Sequence, residues 1–381
     1  HTSEFKKIKF PIIDFVIVNL YPFEKFIKKN SDYEKCIEMI DIGGTALLRS
    51  AAKNHKSITV ISDPKDYKKF INNIKVDNRN KNLIFKKQMA KKAFLKTSQY
   101  GSAIYKWLGG SKSSETINIT NHKKVNLRYG ENPHQKSAIY LQNENNKINK
   151  IHGKPLSYNN YNDIFSALMI SKNLPKNKGV VIIKHGNPCG ISINKNKVKS
   201  YKLALSCDPI SAFGGIVGCN FKLNKALALE LKKKFLEVVI ANGFEKDALR
   251  ILKQKNNLRI IDASKFGLKN FQSIVSNFEN FLIQNYDNAN LSAKNFNIVS
   301  KKKPDKKTLN SLIFAFNMCR FVKSNAIVLV KDDTTVGIGS GQTSRLDSCK
   351  IAIDKMKKFQ KISENDIILG ASDAFFPFVD G

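Results

Sequence analysis

Short apolar runs alternate with helix-forming stretches along the first part of the chain. Phe15 to Val18 is an unbroken apolar run after Asp14, and Ser57 to Ser62 holds a second one that ends at Asp63-Pro64. Runs of this length with β-branched residues predict fully buried strands. Between them lie a polar stretch from about Asp32 to Ile40 and an Ala/Leu-rich stretch through Ala52, both predicted helices. The second is opened by Asp41-Ile42-Gly43-Gly44-Thr45, where paired glycines expose backbone N–H groups to an anion or serve as plain turn chemistry. A Lys-rich helical stretch, about Lys81 to Leu108, ends at Gly109-Gly110. This alternation predicts an α/β layer structure with a parallel sheet.

Residues 111 to 125 are polar without an apolar period, so a domain boundary is expected there. Leu127 to Gln135 reads as a dense polar loop in which Arg128 can grip a phosphate or carboxylate. Val181 to Ile183 predicts a buried strand running into Lys184 and His185, followed by the turn formers Gly186, Asn187, Pro188 and Gly190. Such a strand puts a cation and a titratable base at a sheet edge, where open α/β sheets carry their chemistry. Asp208 to Val217 is a second polar-to-Gly loop entering a strand, and a helix is expected from Asn224 and a strand from Phe235 to Ile240. Residues 253 to 310 are polar, with a hairpin expected over Ser273 to Gln284. A helix from about Asp305 to Val322, a strand from Ala326 to Val330 and a turn at Asp332-Asp333 follow. Gly337, Gly339 and Gly341 then press bare backbone against some neighbour, but the third glycine of a dinucleotide fingerprint is missing. A helix from Asp347 to Lys357 and a strand from Ile367 to Leu369 complete the pattern, and no repeat recurs at a fixed period.

Composition changes this picture little. The net charge of +34 over 381 residues fits nucleic-acid binding, attraction of small polyanions or a plain compositional bias, and the last is the favoured reading. The excess is mostly Lys spread evenly, with no Arg block or basic–aromatic interleaving, so no nucleic acid is expected as partner. The six cysteines are scattered without a CxxC, which fits a reducing cytoplasm and argues against a zinc knuckle. Pro188-Cys189 lacks the second cysteine of a zinc-deaminase motif, so no metal site is expected. No apolar stretch is long enough to span a bilayer, so no membrane partner is expected either. The first residue is His1 rather than Met and the last is Gly381, directly after an aromatic cluster, which reads as a fragment lacking both ends.

LRYGENPHQ at 127–135, LSYNN at 156–160, KHGNPCG at 184–190, DPISAFGG at 208–215, KSNAIV at 323–328, GIGSGQTSR at 337–345 and SDAFFPF at 372–378 resemble one family in order and spacing. That family is the bifunctional purine biosynthesis enzyme joining AICAR transformylase to IMP cyclohydrolase. NLYPF at 19–23 and DIGGTALLRSAAKNH at 41–55 resemble its cyclohydrolase half. The resemblance implies formyl transfer from 10-formyltetrahydrofolate to the 5-amino group of AICAR, then ring closure to IMP with loss of water. It also implies a methylglyoxal-synthase-like α/β domain over 1–115, and a transformylase domain over 122–381. The latter comprises two cytidine-deaminase-like α/β subdomains at about 122–265 and 290–381. A cytoplasmic homodimer is implied, with the folate as cosubstrate and no tightly bound cofactor.

By the same resemblance His185 is the base, Lys184 assists the tetrahedral intermediate and Asn325 helps hold the formyl group. Arg128, Tyr129, Gly214, Glu237, Arg345 and Phe375 match positions lining the AICAR site, and Leu346 and Asp380 match folate contacts. Lys53 matches the cyclohydrolase's catalytic lysine, with Tyr21 and Asp41 beside the substrate. Plainer readings stand beside these: Phe375 as core, Asn325 as a turn cap, Lys53 as a solvated helix lysine. The chain departs from the family pattern at Val379, where Arg is usual, and at Gly101, Asn242 and Asn277 to Asn280. The family's phosphate loops would lie before His1 and further folate contacts after Gly381. The alternative to an enzyme is a degenerate chain that binds nucleotide or a partner subunit without turnover.

Overall fold

The structure is a computed structural model and describes residues 11–29, 32–75, 79–109, 123–141, 148–267, 272–287, 289 and 291–376. The chain forms two compact units, His1–His122 and Lys123–Gly381. Most of the polar stretch 111–125 lies outside the described residues.

In the first unit, strands Phe15–Ile17 and Thr59–Ile61 pair in parallel, as the alternating pattern predicts. The core gathers Leu48, Ala51 and Ala52 of helix Ile42–Lys53, Val60 and Ile61 of the second strand, and Met89, Ala90 and Ala93 of helix Arg79–Leu108. The first strand is not the fully buried one expected, since Phe15 and Ile17 are each about half exposed. Among the described residues its one strand partner is Thr59–Ile61. Gly43 and Gly44 lie inside the helix rather than ahead of it. Asp41 is the N-cap, and its Oδ1 accepts the Gly44 N–H at 2.7 Å. A Cβ at Gly44 would sit 2.5 Å from Asp41 Oδ2, so the glycine is what lets the aspartate cap the helix.

The second unit is built on a nine-stranded sheet. Its spatial order is Leu369–Ser372, Ile327–Lys331, Thr334–Gly339, Asn187–Ile193, Gly179–Lys184, Ile216–Cys219, Val238–Ala241, Arg259–Asp262 and Asn149–His152. Only the two pairings of Val238–Ala241 are parallel, and the rest are antiparallel. Helices cover both faces. Ile164, Leu168, Phe314 and Met318 pack on one, Tyr201, Leu227 and Leu252 on the other. The strand Gly179–Lys184 is central, so Lys184 and His185 sit at the end of a middle strand and not on an edge strand. Helices on both faces explain why five of its six residues are buried and why its sequence does not alternate. The hairpin Gln272–Asn277/Asn280–Asn285 forms a separate sheet where the sequence predicts one. Among the described residues no helix is long and apolar enough to cross a membrane.

Two segments of this unit share one topology. Helix Tyr158–Asn173, the hairpin Gly179–Lys184/Asn187–Ile193, helix Lys197–Cys207 and strand Ile216–Cys219 form the first. Helix Lys306–Cys319, the hairpin Ile327–Lys331/Thr334–Gly339, helix Arg345–Phe359 and strand Leu369–Ser372 form the second. In each, the first hairpin strand lies between the other two, antiparallel to both. The halves meet at the antiparallel strands Asn187–Ile193 and Thr334–Gly339, and the first three strands outward from that junction follow the same order on either side. The correspondence reaches single atoms. Ser200 and Ser348, each fourth in its helix, donate to the carbonyls of Lys178 and Asn325. The next residues, Gly179 and Ala326, donate their N–H groups to Asn220 and Asp373. The sequence hides this repeat because equivalent positions carry different side chains while the backbone bonding is kept.

The glycines of the second strands are packing devices. A Cβ at Gly190 would meet Ala204 O at 1.9 Å, at Gly337 Ala352 O at 2.1 Å, and at Gly339 Ser348 O at 1.8 Å. The neighbour that Gly337 and Gly339 press against is therefore the helix Arg345–Phe359 of their own repeat, not a ligand.

Candidate active site

The first repeat supplies the Lys184-His185 corner. His185 and Gly186 form a two-residue hairpin loop with φ of 51° and 76°, the positive pair that a type I′ turn uses. Gly186 meets this freely, but a histidine there is strained. The loop is held from outside: Gly186 N–H donates to Asp163 Oδ1 at 2.6 Å, from helix Tyr158–Asn173. Lys184 Nζ donates to Phe213 O at 2.5 Å. A Cβ at Gly214, whose φ is 69°, would lie 3.2 Å from both Lys184 Nζ and the Phe235 ring. Glu237, at the same end of the sheet, accepts from Asn160 Nδ2 at 2.8 Å and from the buried Arg259 guanidinium at 3.5 Å. Burial pushes the Asp163 carboxyl up, and the Glu237 charge adds to this. The Gly186 N–H and the His185 charge act against the rise.

The second repeat brings Asn325 and Arg345 to the same place. Asn187 Oδ1 accepts the Lys323 N–H at 3.1 Å, which ties the His185 turn to the segment before strand Ile327–Lys331. Asn325 Nδ2 donates to Gln342 O and Thr343 O at 3.0 and 3.1 Å, and its Oδ1 accepts Arg345 Nη2 at 2.7 Å. Arg345 Nη1 bonds Ser372 Oγ at 2.8 Å and pairs with Asp373. Burial alone would raise Asp373. The Ser324 hydroxyl, the Arg345 guanidinium and the Ala326 N–H outweigh it and hold the carboxyl below its ordinary value. Lys184, His185, Asn325 and Arg345 thus stand on one connected scaffold of hydrogen bonds that crosses the junction of the repeats.

The other expected residues fall into three groups. Leu346 follows Arg345 in the helix and is half exposed; Phe375 is 82% exposed, so it is not the core residue of its plainer reading. Asp380 and Val379 lie outside the described residues. The Arg128 guanidinium lies 5.2 Å from the Tyr129 ring centroid. Their loop is anchored to the helix that carries Asp163 through Asn159 Nδ2 and Glu131 O at 3.1 Å. In the first unit Tyr21 N–H faces Asp41 Oδ2 at 3.3 Å, and Asp41 N–H donates to Tyr100 OH at 2.9 Å. Lys53 is exposed at the opposite end of that helix, about 18 Å along its axis from Asp41. Reasoning from sequence missed Asp163, Asn187 and Asp373. Asp373 was at hand in SDAFFPF, whereas Asp163 is one polar residue in an amphipathic helix and carries no signal of its own.

The profile of the AICARFT/IMPCHase bienzyme family matches residues 51–355. The bifunctional purine biosynthesis protein PurH of Rhodospirillum rubrum is 41% identical over 389 aligned positions, 97% of this chain and 73% of its own length. The chain belongs to the AICARFT/IMPCHase bienzyme family. Proteins of the same name from Prochlorococcus marinus and Leptospira biflexa are both 42% identical. The first covers 100% of this chain and 75% of its own length, the second 97% and 72%. The span matched by the family profile includes Lys53, Arg128, Lys184, His185, Gly214, Glu237, Asn325 and Arg345. Tyr21, Asp41 and Phe375 lie outside that span but within the reach of the relative that covers the whole chain.

Proposed function

We propose that this family member performs two consecutive steps of purine biosynthesis, one in each unit. The unit from Lys123 onward transfers the formyl group of 10-formyltetrahydrofolate to the 5-amino group of AICAR. The unit up to His122 closes the product to IMP with loss of water. The AICAR nitrogen attacks the formyl carbon, His185 takes the proton that the nitrogen sheds, and the folate N10 leaves and regains a proton, so none is gained or lost overall. The amine is delocalised into its ring and is a poor nucleophile, which is why a base and an oxyanion stabiliser are needed together. Lys184 supplies the positive charge for the oxyanion. Asn325, fixed through both ends of its amide, orients the formyl group, with Arg345 as its brace. Arg128, Tyr129, Gly214, Glu237 and Phe375 line the nucleotide site, Leu346 and Asp380 meet the folate, and Tyr21, Asp41 and Lys53 serve ring closure.

The observation that carries this reading is the bridge from His185 through Asn187 and Lys323 to Asn325 and Arg345. The two repeats are read as the cytidine-deaminase-like pair, the first unit as methylglyoxal-synthase-like, and the whole as a cytoplasmic homodimer, on the family resemblance. The test is His185→Ala: formyl transfer is abolished while calorimetric AICAR affinity changes less than about threefold, within ~0.7 kcal/mol. A variant that keeps most of its transfer rate refutes the assignment.

A further inference from the structure

The two repeats provide an internal comparison. His185-Gly186 in the first hairpin corresponds to Asp332-Asp333 in the second, and the leading residues share their backbone, with φ of 51° and 52°. The helices preceding the hairpins reach their turns with opposite charge: in the second repeat Lys307 Nζ lies 2.8 Å from Asp332 Oδ1. Tyr158–Asn173 holds Asp163, whose Oδ1 takes the Gly186 N–H at 2.6 Å, whereas Lys306–Cys319 contains no carboxylate at all. A carboxylate clamp on the turn is thus built only in the repeat that carries the base. Asp163 is one helical turn beyond Asn160, which holds Glu237, so the clamp is continuous with the site's other acid.

We infer that Asp163 is a positioning residue for formyl transfer, fixing the left-handed His185 turn through Gly186 and balancing the charge His185 acquires on taking the amine proton. This rests on the reading of His185 as base. The clamp accounts for a half-buried carboxylate kept beside a strained turn. A neutral amide would accept the same N–H without the desolvation that a charge brings. What an amide cannot do is stabilise an imidazolium. The charged groups around the turn are Lys184 on the same hairpin, Lys323 on the segment held by Asn187, and Asp163 with Glu237 behind it. Asp163 is the one of them that combines a negative charge with a direct bond to the turn.

Three full-length variants test this beside the wild type: Asp163→Asn, which keeps the acceptor and removes the charge, Asp163→Ala, which removes both, and His185→Ala. Asp163→Asn is expected to melt no lower than wild type and to keep its KM for AICAR. Its kcat for formyl transfer falls about tenfold, and its pH–rate profile differs from that of the wild type. Asp163→Ala loses a further factor of about ten, because the turn is also freed. The nuclear magnetic resonance titration of the His185 ring, assigned by its loss in His185→Ala, is expected to move to lower pH in Asp163→Asn. That readout needs no activity, so it judges Asp163 even if His185→Ala still transfers formyl groups and the base assignment fails. An Asp163→Asn enzyme with wild-type kcat, pH profile and His185 titration overturns the inference. A lowered melting temperature with kcat lost in proportion to unfolded protein also overturns it, since that is a purely structural role.

Discussion

At the level of single residues, the proposed base occupies a backbone conformation that favours other side chains. His185 holds a left-handed backbone at the first position of a two-residue turn, where Asn before Gly is the favoured pair. His185→Asn is therefore expected to stabilise the second unit by about 1 kcal/mol in urea unfolding while abolishing formyl transfer. Arg345 spans Asn325 on one side and Ser372 and Asp373 on the other, which an ammonium cannot copy. Arg345→Lys is expected to lower kcat/KM for AICAR about 100-fold, or ~2.7 kcal/mol. Asp373 also sets a pH dependence. Its carboxyl titrates below the ordinary 3.8 in the folded chain, so its contribution to stability is present above that value and is lost as pH falls through the lower one. The melting difference between wild type and Asp373→Asn is expected to shrink on acidification below about pH 3.8. Most of the residues named in the site were legible in the sequence, because their motifs are contiguous and carry unusual residue types. Their bracing was not. Asn187 reads only as a turn former within KHGNPCG, because its bond to the Lys323 N–H crosses the repeat junction, and Asp163 acts through a backbone atom distant in sequence with nothing local to mark it.

At the level of elements, the sequence predicts existence better than surroundings. The strand at Gly179–Lys184, the helix at Ile42–Lys53 and the hairpin at Gln272–Asn285 all lie within a few residues of expectation, since apolar runs and caps are local signals. The central place of the Lys184 strand and the antiparallel course of most of the large sheet were not legible. Both depend on which strands pair, and that is decided by the packing of whole layers. Glycine spacing is the sharpest case. Gly337 and Gly339 are visible as an anomaly, but their partners lie on a helix that begins six residues after Gly339, and only the folded chain shows the contact. Gly339→Ala is expected to destabilise the second unit by about 3 kcal/mol or more, measured by urea unfolding. It pushes on Ser348, whose hydroxyl holds Asn325, so AICAR binding should weaken even where the variant is still folded.

At the level of the whole molecule, the chain divides into two compact units, and the proposal gives one activity to each. Lys53→Ala is expected to lose ring closure and keep formyl transfer, and His185→Ala the reverse when supplied with formylated AICAR. Loss of both in a folded variant would contradict the assignment. The junction between the repeats has a consequence of its own. The strands Asn187–Ile193 and Thr334–Gly339 share a single paired position, Ser192 with Thr334; beside it one backbone bond runs from the Ile193 N–H to Asp333 O at 3.0 Å, and hydroxyls make further stitches. Thr335 Oγ1 takes the Ile191 N–H at 2.8 Å and donates to the Ile191 carbonyl at 3.2 Å. A ladder this sparse yields before the cores on either side of it. His185 stands on one bank of that seam and Asn325 and Arg345 on the other. On gentle warming the enzyme should therefore fall silent while its circular dichroism is still native, with the Ile191 and Ile193 amides the first of the central sheet to exchange with deuterium.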